Sequence, residues 1–122
     1  MSRDELLKAY ANGERNFRDA DLRGLDLSDA DLRKSDLQGA WIRDSNLRRS
    51  SLWGSDLTGS NLTGCDLKGA DLRRADLRGI KISNATLDGT VVRGEHISGP
   101  EHFLYALTEE EASLIEKHRK NG

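Results

Sequence analysis

Large apolar residues recur at every fifth position over most of this chain. The place two before each of them mostly carries a small residue, and the place between mostly carries Asp or Asn. An α-helix repeats at 3.6 residues and a strand at 2.0, so neither keeps every fifth residue on one buried side. The pattern instead predicts a chain that turns a corner every five residues. The expected core consists of Phe17, Leu22, Leu27, Leu32, Leu37, Ile42, Leu47, Leu52, Leu57, Leu62, Leu67, Leu72, Leu77, Ile82, Leu87, Val92 and Ile97.

Four five-residue sides close a square coil of about twenty residues, and successive coils pair like parallel strands about 4.8 Å apart. The seventeen quintets therefore predict an all-β solenoid, a quadrilateral parallel β-helix of about four coils. The large residue and the small residue two before it both point inward, because the shaft is too narrow for two large layers. Glycine is frequent two places after the centre, which indicates tight corners.

The quintets "ADLRG", "SDLTG", "SNLTG" and "CDLKG" resemble the A(D/N)LXX signature of the pentapeptide-repeat family. The resemblance covers residues 15–99, and the string "LLKAYANGERNF" is similar to the lead-in of many cyanobacterial members. It implies the family's fold, which is a right-handed quadrilateral β-helix. Larger residues replace the small inward residue near the ends of the repeat, which is typical of adaptation to caps; they are Arg15, Leu25, Ile80 and Glu95.

A solenoid leaves unpaired strand edges and an open apolar shaft at each end, so we expect a short α-helical cap at both ends. Residues 1–14 form the expected first cap, where Ser2 and Glu5 fit a capping box and Gly13 stops the helix. Leu6, Leu7 and Tyr10 form the apolar stripe of this helix.

The expected second cap is residues 100–122, after the repeat of residues 15–99. Phe103 and Tyr105 concentrate aromatic surface there, before a helix that begins near Thr108. This segment either plugs the last coil or also joins two subunits, so the chain is expected to be a monomer or a homodimer.

The composition limits the classes of function. At 122 residues the chain has room for one domain, and no apolar run is long enough to span a membrane or to serve as a secretory signal. We therefore expect a soluble, cytoplasmic protein without membrane contact. One cysteine and three scattered histidines do not resemble a metal-ligand set, so neither a metal nor a cofactor is predicted.

No catalytic centre is predicted either. The abundant serines occupy inward positions, where they are expected to bond to backbone, and Cys65 takes the same kind of position. Glu95, His96 and Ser98 are the only acid, base and hydroxyl close together in sequence, and proximity in sequence is weak support for a triad.

Charge argues against a strongly acidic or basic surface. Residues 15–99 carry 14 Lys and Arg against 13 Asp and Glu. Gyrase-binding members of the pentapeptide-repeat family resemble duplex DNA through an acidic surface, and Asp36, Asp56 and Asp76 do form a column here. A column of Asp is also a by-product of the repeat, so DNA mimicry is an alternative rather than the main interpretation.

The candidate interaction surface combines arginine with aromatic residues. Arg33, Trp53, Arg73 and Arg93 share one outward column, and Lys34 and Arg74 lie next to it. Such an edge could hold phosphate, single-stranded nucleic acid or an acidic protein partner. A simpler interpretation is that Trp53 lies between Arg33 and Arg73 and shields the coil edges by cation–π contact. Trp41 belongs to the side two corners away, so the two tryptophans cannot form one patch.

The sequence thus favours a non-enzymatic structural or protein–protein interaction module. Another protein is the expected partner, contacted through the arginine column and Trp53, through Trp41, or through Phe103 and Tyr105. Two alternatives remain: a DNA-mimic protein that binds a topoisomerase, and weak nucleic-acid binding through the basic edge.

Overall fold

The computed structural model of the protein describes residues 1–92, which form one α-helix followed by stacked coils. The helix, α1, spans Arg3–Ala11. The Ser2 Oγ accepts the backbone N–H of Glu5, and the Glu5 carboxylate accepts the backbone N–H of Ser2, each at 3.1 Å. The predicted capping box is thus confirmed, and it satisfies two N–H groups that a helix start leaves without partners. Leu6 is fully buried against the core, so α1 covers the first coil.

The rest of residues 1–92 winds in coils of twenty residues. Twelve parallel β-bridges join residues twenty apart, from Asn16↔Asp36 to Asp71↔Val91. Consecutive bridges start five residues apart, so each coil has four sides. In the described part of the chain these single-residue bridges do not extend into longer strands.

The four sides are numbered in chain order, and each carries four described central residues. Side 1 has Phe17, Leu37, Leu57 and Leu77; side 2 has Leu22, Ile42, Leu62 and Ile82; side 3 has Leu27, Leu47, Leu67 and Leu87; side 4 has Leu32, Leu52, Leu72 and Val92.

Backbone hydrogen bonds hold neighbouring coils together at three places in a quintet. The central residue donates to the coil above, as Leu22 N–H does to the Trp41 carbonyl at 2.7 Å. The corner residue also donates upward, as Lys34 N–H does to the Trp53 carbonyl at 2.8 Å. The residue before the centre donates to the coil below. With these groups paired, the sides of the coils present mainly side chains outward.

The outward Asp and Asn residues have a backbone role that the sequence analysis did not assign. Their side chains accept the N–H two residues on, as Asp31 Oδ1 does from Arg33 N–H at 3.1 Å and Asn61 Oδ1 from Thr63 N–H at 3.0 Å. These side chains therefore accept a backbone N–H that has no backbone acceptor in the coil.

The central residues fill the shaft. All sixteen that the structure describes, from Phe17 to Val92, are at most 4% exposed. Ile97 lies outside the described residues. Burying a side chain of this size contributes roughly 1.5–3 kcal/mol, so the repeated core supplies the main stabilising term.

The inward serines behave in two ways. Ser45, Ser50 and Ser55 donate to backbone carbonyls at 2.6–3.0 Å, as the sequence predicts. The buried hydroxyls of Ser35 and Ser60 have no such partner in the structure, so the prediction was wrong for these two. Ser35 lies in the quintet above Arg15, where there is no full coil below to supply the carbonyl that Ser45 and Ser55 use.

Within residues 1–92, no helix has the length and apolar character needed to cross a lipid bilayer. The expected second cap at residues 100–122 lies outside the described residues.

Candidate functional site

A groove of about 720 Å³ lies on side 4, beside the capping helix. Three successive coils form most of it, and α1 and the segment after it close one end. The lining residues are Tyr10, Arg15, Asp31, Arg33, Lys34, Ser51, Trp53, Asp71 and Arg73. We call this feature the side-4 groove.

Two forked ion pairs fix the wall of the side-4 groove. Arg33 donates through Nε and Nη2 to the two carboxylate oxygens of Asp31, each at 2.8 Å. Arg73 donates in the same way to Asp71 at 2.9 and 2.8 Å. The hydrogen bonds from Arg33 hold the pKa of Asp31 at about 2, and those from Arg73 lower the pKa of Asp71. Both carboxylates are therefore charged near neutral pH, and paired guanidiniums are held in one orientation.

Trp53 lies between the two forked pairs and is half-buried. The Lys34 Nζ is 5.6 Å from the ring centroid and the Arg74 Cζ is 5.2 Å from it. Lys34 is a corner residue of the coil below and Arg74 a corner residue of the coil above. The sequence interpretation assigned the cation–π contacts of Trp53 to Arg33 and Arg73. Their guanidiniums bind Asp31 and Asp71, and Lys34 and Arg74 lie over the ring instead.

The capping helix contributes the end wall of the groove. The Tyr10 hydroxyl donates to the Arg33 carbonyl at 2.9 Å and approaches Asp31 Oδ1 at 3.4 Å. Burial, followed by the nearby Asp31 charge, raises the pKa of Tyr10, so the hydroxyl keeps its proton and remains a donor. The Arg15 guanidinium stacks 3.5 Å from the Tyr10 ring centroid and donates to the Tyr10 carbonyl at 2.8 Å. These contacts join α1 to side 4.

Sequence reasoning missed Tyr10 as a groove residue, because it was read as part of the apolar stripe of a cap. It took Arg15 only as a departure from the small inward residue. No spacing within the repeat relates the cap to side 4. Lys34 and Arg74 were placed next to the arginine column from the sequence, but their contacts with the Trp53 ring were not predicted.

The lining of the side-4 groove carries an excess of positive charge. Four cationic side chains (Arg15, Arg33, Lys34, Arg73) face two carboxylates (Asp31, Asp71), a formal net charge of +2. Arg74, over the Trp53 ring, adds one more positive charge beside the groove.

The other proposed interaction residues do not join this site. Trp41 lies on side 2, bridged to Asp21 and Asn61, and is 49% exposed. Arg93, Phe103 and Tyr105 lie outside the described residues, so the arginine column can be followed only from Arg33 to Arg73.

The acidic column on side 1 is largely paired. The Arg18 Nε lies 2.5 Å from Asp36 Oδ2, and the Arg78 guanidinium binds Asp76. Asp56, between them, accepts the Thr58 hydroxyl at 2.6 Å. Two of the three carboxylates thus have a cation beside them, which weakens the likeness of this column to a run of phosphates.

Cys65 and the metal-binding residue types are the features of the described chain that bear on reactivity. The Cys65 thiol is fully buried and directed at the Ile42 carbonyl, and burial raises its pKa to about 11. A thiol in this state is a poor nucleophile at neutral pH. Within residues 1–92, no group of His, Cys, Asp and Glu side chains is placed to hold a metal ion. Glu95, His96 and Ser98 lie outside the described residues.

Several solved structures resemble this chain. A pentapeptide repeat protein from the thylakoid lumen of Arabidopsis thaliana is 29% identical, with a TM-score of 0.66 over 70% of this chain and 59% of its own. HetL of the cyanobacterium Nostoc sp. strain PCC 7120, a pentapeptide repeat protein involved in heterocyst differentiation regulation, is 29% identical, with a TM-score of 0.56 over 76% of this chain and 48% of its own. This chain thus spans about half to three fifths of these relatives. A comparison with curated proteins finds no match.

The repeat is also matched by a family model described as pentapeptide repeats. It aligns eight copies to residues 16–49 and 42–79, which together make up more than half of the chain. The matched region includes the three coils that build the side-4 groove above its capped end. The chain therefore belongs to the pentapeptide-repeat family.

Proposed function

We propose that this chain is a non-enzymatic, cytoplasmic protein-interaction module that binds another protein through the side-4 groove. In this proposal the repeat is a right-handed quadrilateral β-helix, the fold of its family, and it acts as a rigid support. The helical cap and three coils hold the binding side chains in place before a partner arrives.

One observation carries the proposal: Trp53 is held in the side-4 groove by cations from the coils on either side. A half-buried aromatic residue in a pocket, with arginine beside it, is the type of anchor that dominates protein interfaces. Since Arg33 and Arg73 are already oriented by Asp31 and Asp71, binding costs little side-chain entropy.

A DNA-mimic role is less well supported. It needs an acidic surface, and on side 1 Arg18 and Arg78 bind two of the three carboxylates of the Asp column. We therefore favour the side-4 groove as the binding surface over side 1.

Affinity capture from the native cell extract tests the proposal. The full chain and two variants, Trp53→Ala and Trp41→Ala, are immobilised, and retained proteins are identified and then purified for a direct binding measurement. We expect a partner that binds the wild type and Trp41→Ala but loses at least about tenfold in affinity for Trp53→Ala, as loss of an interface hot spot does. A partner lost equally with both variants, or with neither, would contradict binding through the side-4 groove.

A further inference from the structure

We infer that the side-4 groove takes an acidic, extended segment of its protein partner, with two or more Asp or Glu side chains that bind between Arg33 and Arg73 and over Lys34 and Arg74. The inference rests on the proposed function and specifies the chemistry of the partner.

Charge complementarity is the first argument. Among the described residues, neither Lys34 nor Arg74 has a carboxylate partner, and both are exposed. Arg15 donates to the backbone carbonyls of Tyr10 and Glu14, so its charge is not balanced by a carboxylate through those bonds. Since Arg33 and Arg73 are paired with Asp31 and Asp71, the net charge of +2 in the groove lining is carried by Arg15 and Lys34.

The spacing of the groove suits an extended chain. Arg33 and Arg73 are two coils apart, which is about 10 Å at the usual separation of paired strands. Roughly three to four residues of extended chain cover that distance, and alternate side chains point to the same face about 7 Å apart. Two carboxylates on one face of such a segment can reach the cations on both sides of Trp53.

The same geometry disfavours single-stranded nucleic acid, the other anionic polymer. Such strands bind by stacking bases on exposed aromatic rings. Lys34 and Arg74 already lie over the Trp53 ring, so a stacked base would have to displace a cation.

Titration with a defined probe tests the inference. The Trp41→Phe chain leaves Trp53 as the only tryptophan, so its emission reports on the groove. The probes are an octa-glutamate peptide, an octa-lysine peptide and a single-stranded deca-thymidine. We expect a saturable change with octa-glutamate that weakens as salt is raised, and no saturable change with octa-lysine.

Charge reversal identifies the cations involved. In the Trp41→Phe background, Lys34→Glu with Arg74→Glu should weaken octa-glutamate binding at least about tenfold, since two attractive contacts become repulsive. The matched control is Arg43→Glu with Lys81→Glu, two exposed cations on side 2 and an equal change in net charge. It should weaken binding less than about threefold. The neutral pair Lys34→Gln with Arg74→Gln, checked by thermal melting, separates loss of charge from loss of fold and should give an intermediate affinity.

Three outcomes would overturn the inference. Equal weakening by both reversed pairs would mean that net charge, and not the side-4 groove, governs binding. Tighter binding of deca-thymidine than of octa-glutamate would assign the groove to nucleic acid. If octa-glutamate does not bind while a captured partner still depends on Trp53, the acidic occupant is refuted and the proposed function stands. If partner binding does not depend on Trp53, the proposed function itself is refuted.

Discussion

The two tryptophans of this protein occupy different surroundings on different sides of the same stacked coils. Trp53, on side 4, is half-buried and has Lys34 and Arg74 over its ring. Trp41, on side 2, is 49% exposed, and no cation among the described residues lies over its ring. The core of the repeat is nearly uniform, but the same residue type lies in a groove wall on side 4 and is exposed on side 2.

The difference comes from the corners. The corner residues of the coils below and above Trp53 are Lys34 and Arg74, whereas the corresponding residues around Trp41 are Gly24 and Gly64. Trp53 also follows its central residue and so lies toward the corner, while Trp41 precedes its central residue and lies at the bridge between coils. Long corner side chains therefore convert an outward tryptophan into part of a groove wall.

The largest predicted effect on stability comes from the core residues beneath the two tryptophans, where sides 2 and 4 should contribute equally to the free energy of unfolding. Leu52 and Ile42 are the central residues of the two quintets, and each is 1% exposed. We expect Leu52→Ala and Ile42→Ala to lower the free energy of unfolding by about 2–5 kcal/mol each, because both leave a cavity in the shaft. Urea unfolding followed by circular dichroism measures this. A difference between the variants larger than about 2 kcal/mol would show that the sides already differ in the core.

The core could be predicted from sequence because it depends on one period. A residue such as Leu52 is buried whatever its neighbours outside are, since the five-residue spacing alone brings it to the shaft. The family match confirms the resemblance from which the fold was expected. The capping box of Ser2 and Glu5 was predicted for a similar reason, because it depends on four consecutive positions.

The side-4 groove was predicted only in part. The column of Arg33, Trp53 and Arg73 follows from the period, but the partners of each side chain do not. Arg33 donates to the Asp31 carboxylate, and Lys34, not Arg33, makes the cation–π contact with the Trp53 ring. Tyr10 reaches side 4 through the path of the chain after α1, and the period contains no information on that path.

The next largest effect distinguishes the two tryptophans directly. Trp53→Ala should lower the free energy of unfolding by about 1–2 kcal/mol, because it removes a half-buried ring and its contacts with two cations. Trp41→Ala should change it by less than about 0.5 kcal/mol, as an exposed side chain does. Chemical unfolding of both variants measures the contrast.

A double-mutant cycle with Lys34→Ala shows whether the corner cation is responsible for that contrast. A coupling energy of about 0.5–1 kcal/mol is expected between Trp53 and Lys34. Equal losses from the two tryptophans, with no coupling, would mean that the corner cations do not distinguish the sides.

The smallest predicted effect concerns the place before the centre, where the repeat usually has Asp or Asn. Trp41 has no oxygen to accept the N–H of Arg43, whereas Asn46 and Asn61 accept the corresponding N–H of Arg48 and Thr63 at 3.0 Å. Trp41→Asn should therefore raise the free energy of unfolding by about 0.5–1 kcal/mol, since one further backbone donor gains a partner. Asn is preferable to Asp here, because a second carboxylate would lie beside Asp21 in the coil below.

The matched variant Ser51→Asn should gain a similar amount of stability on side 4, where the N–H of Trp53 is the donor. Thermal melting of the two variants measures both gains. A loss of stability in Trp41→Asn alone would show that the exposed ring stabilises side 2 by packing, and the contrast drawn between the two tryptophans would have to be narrowed to the contacts of Trp53 with Lys34 and Arg74.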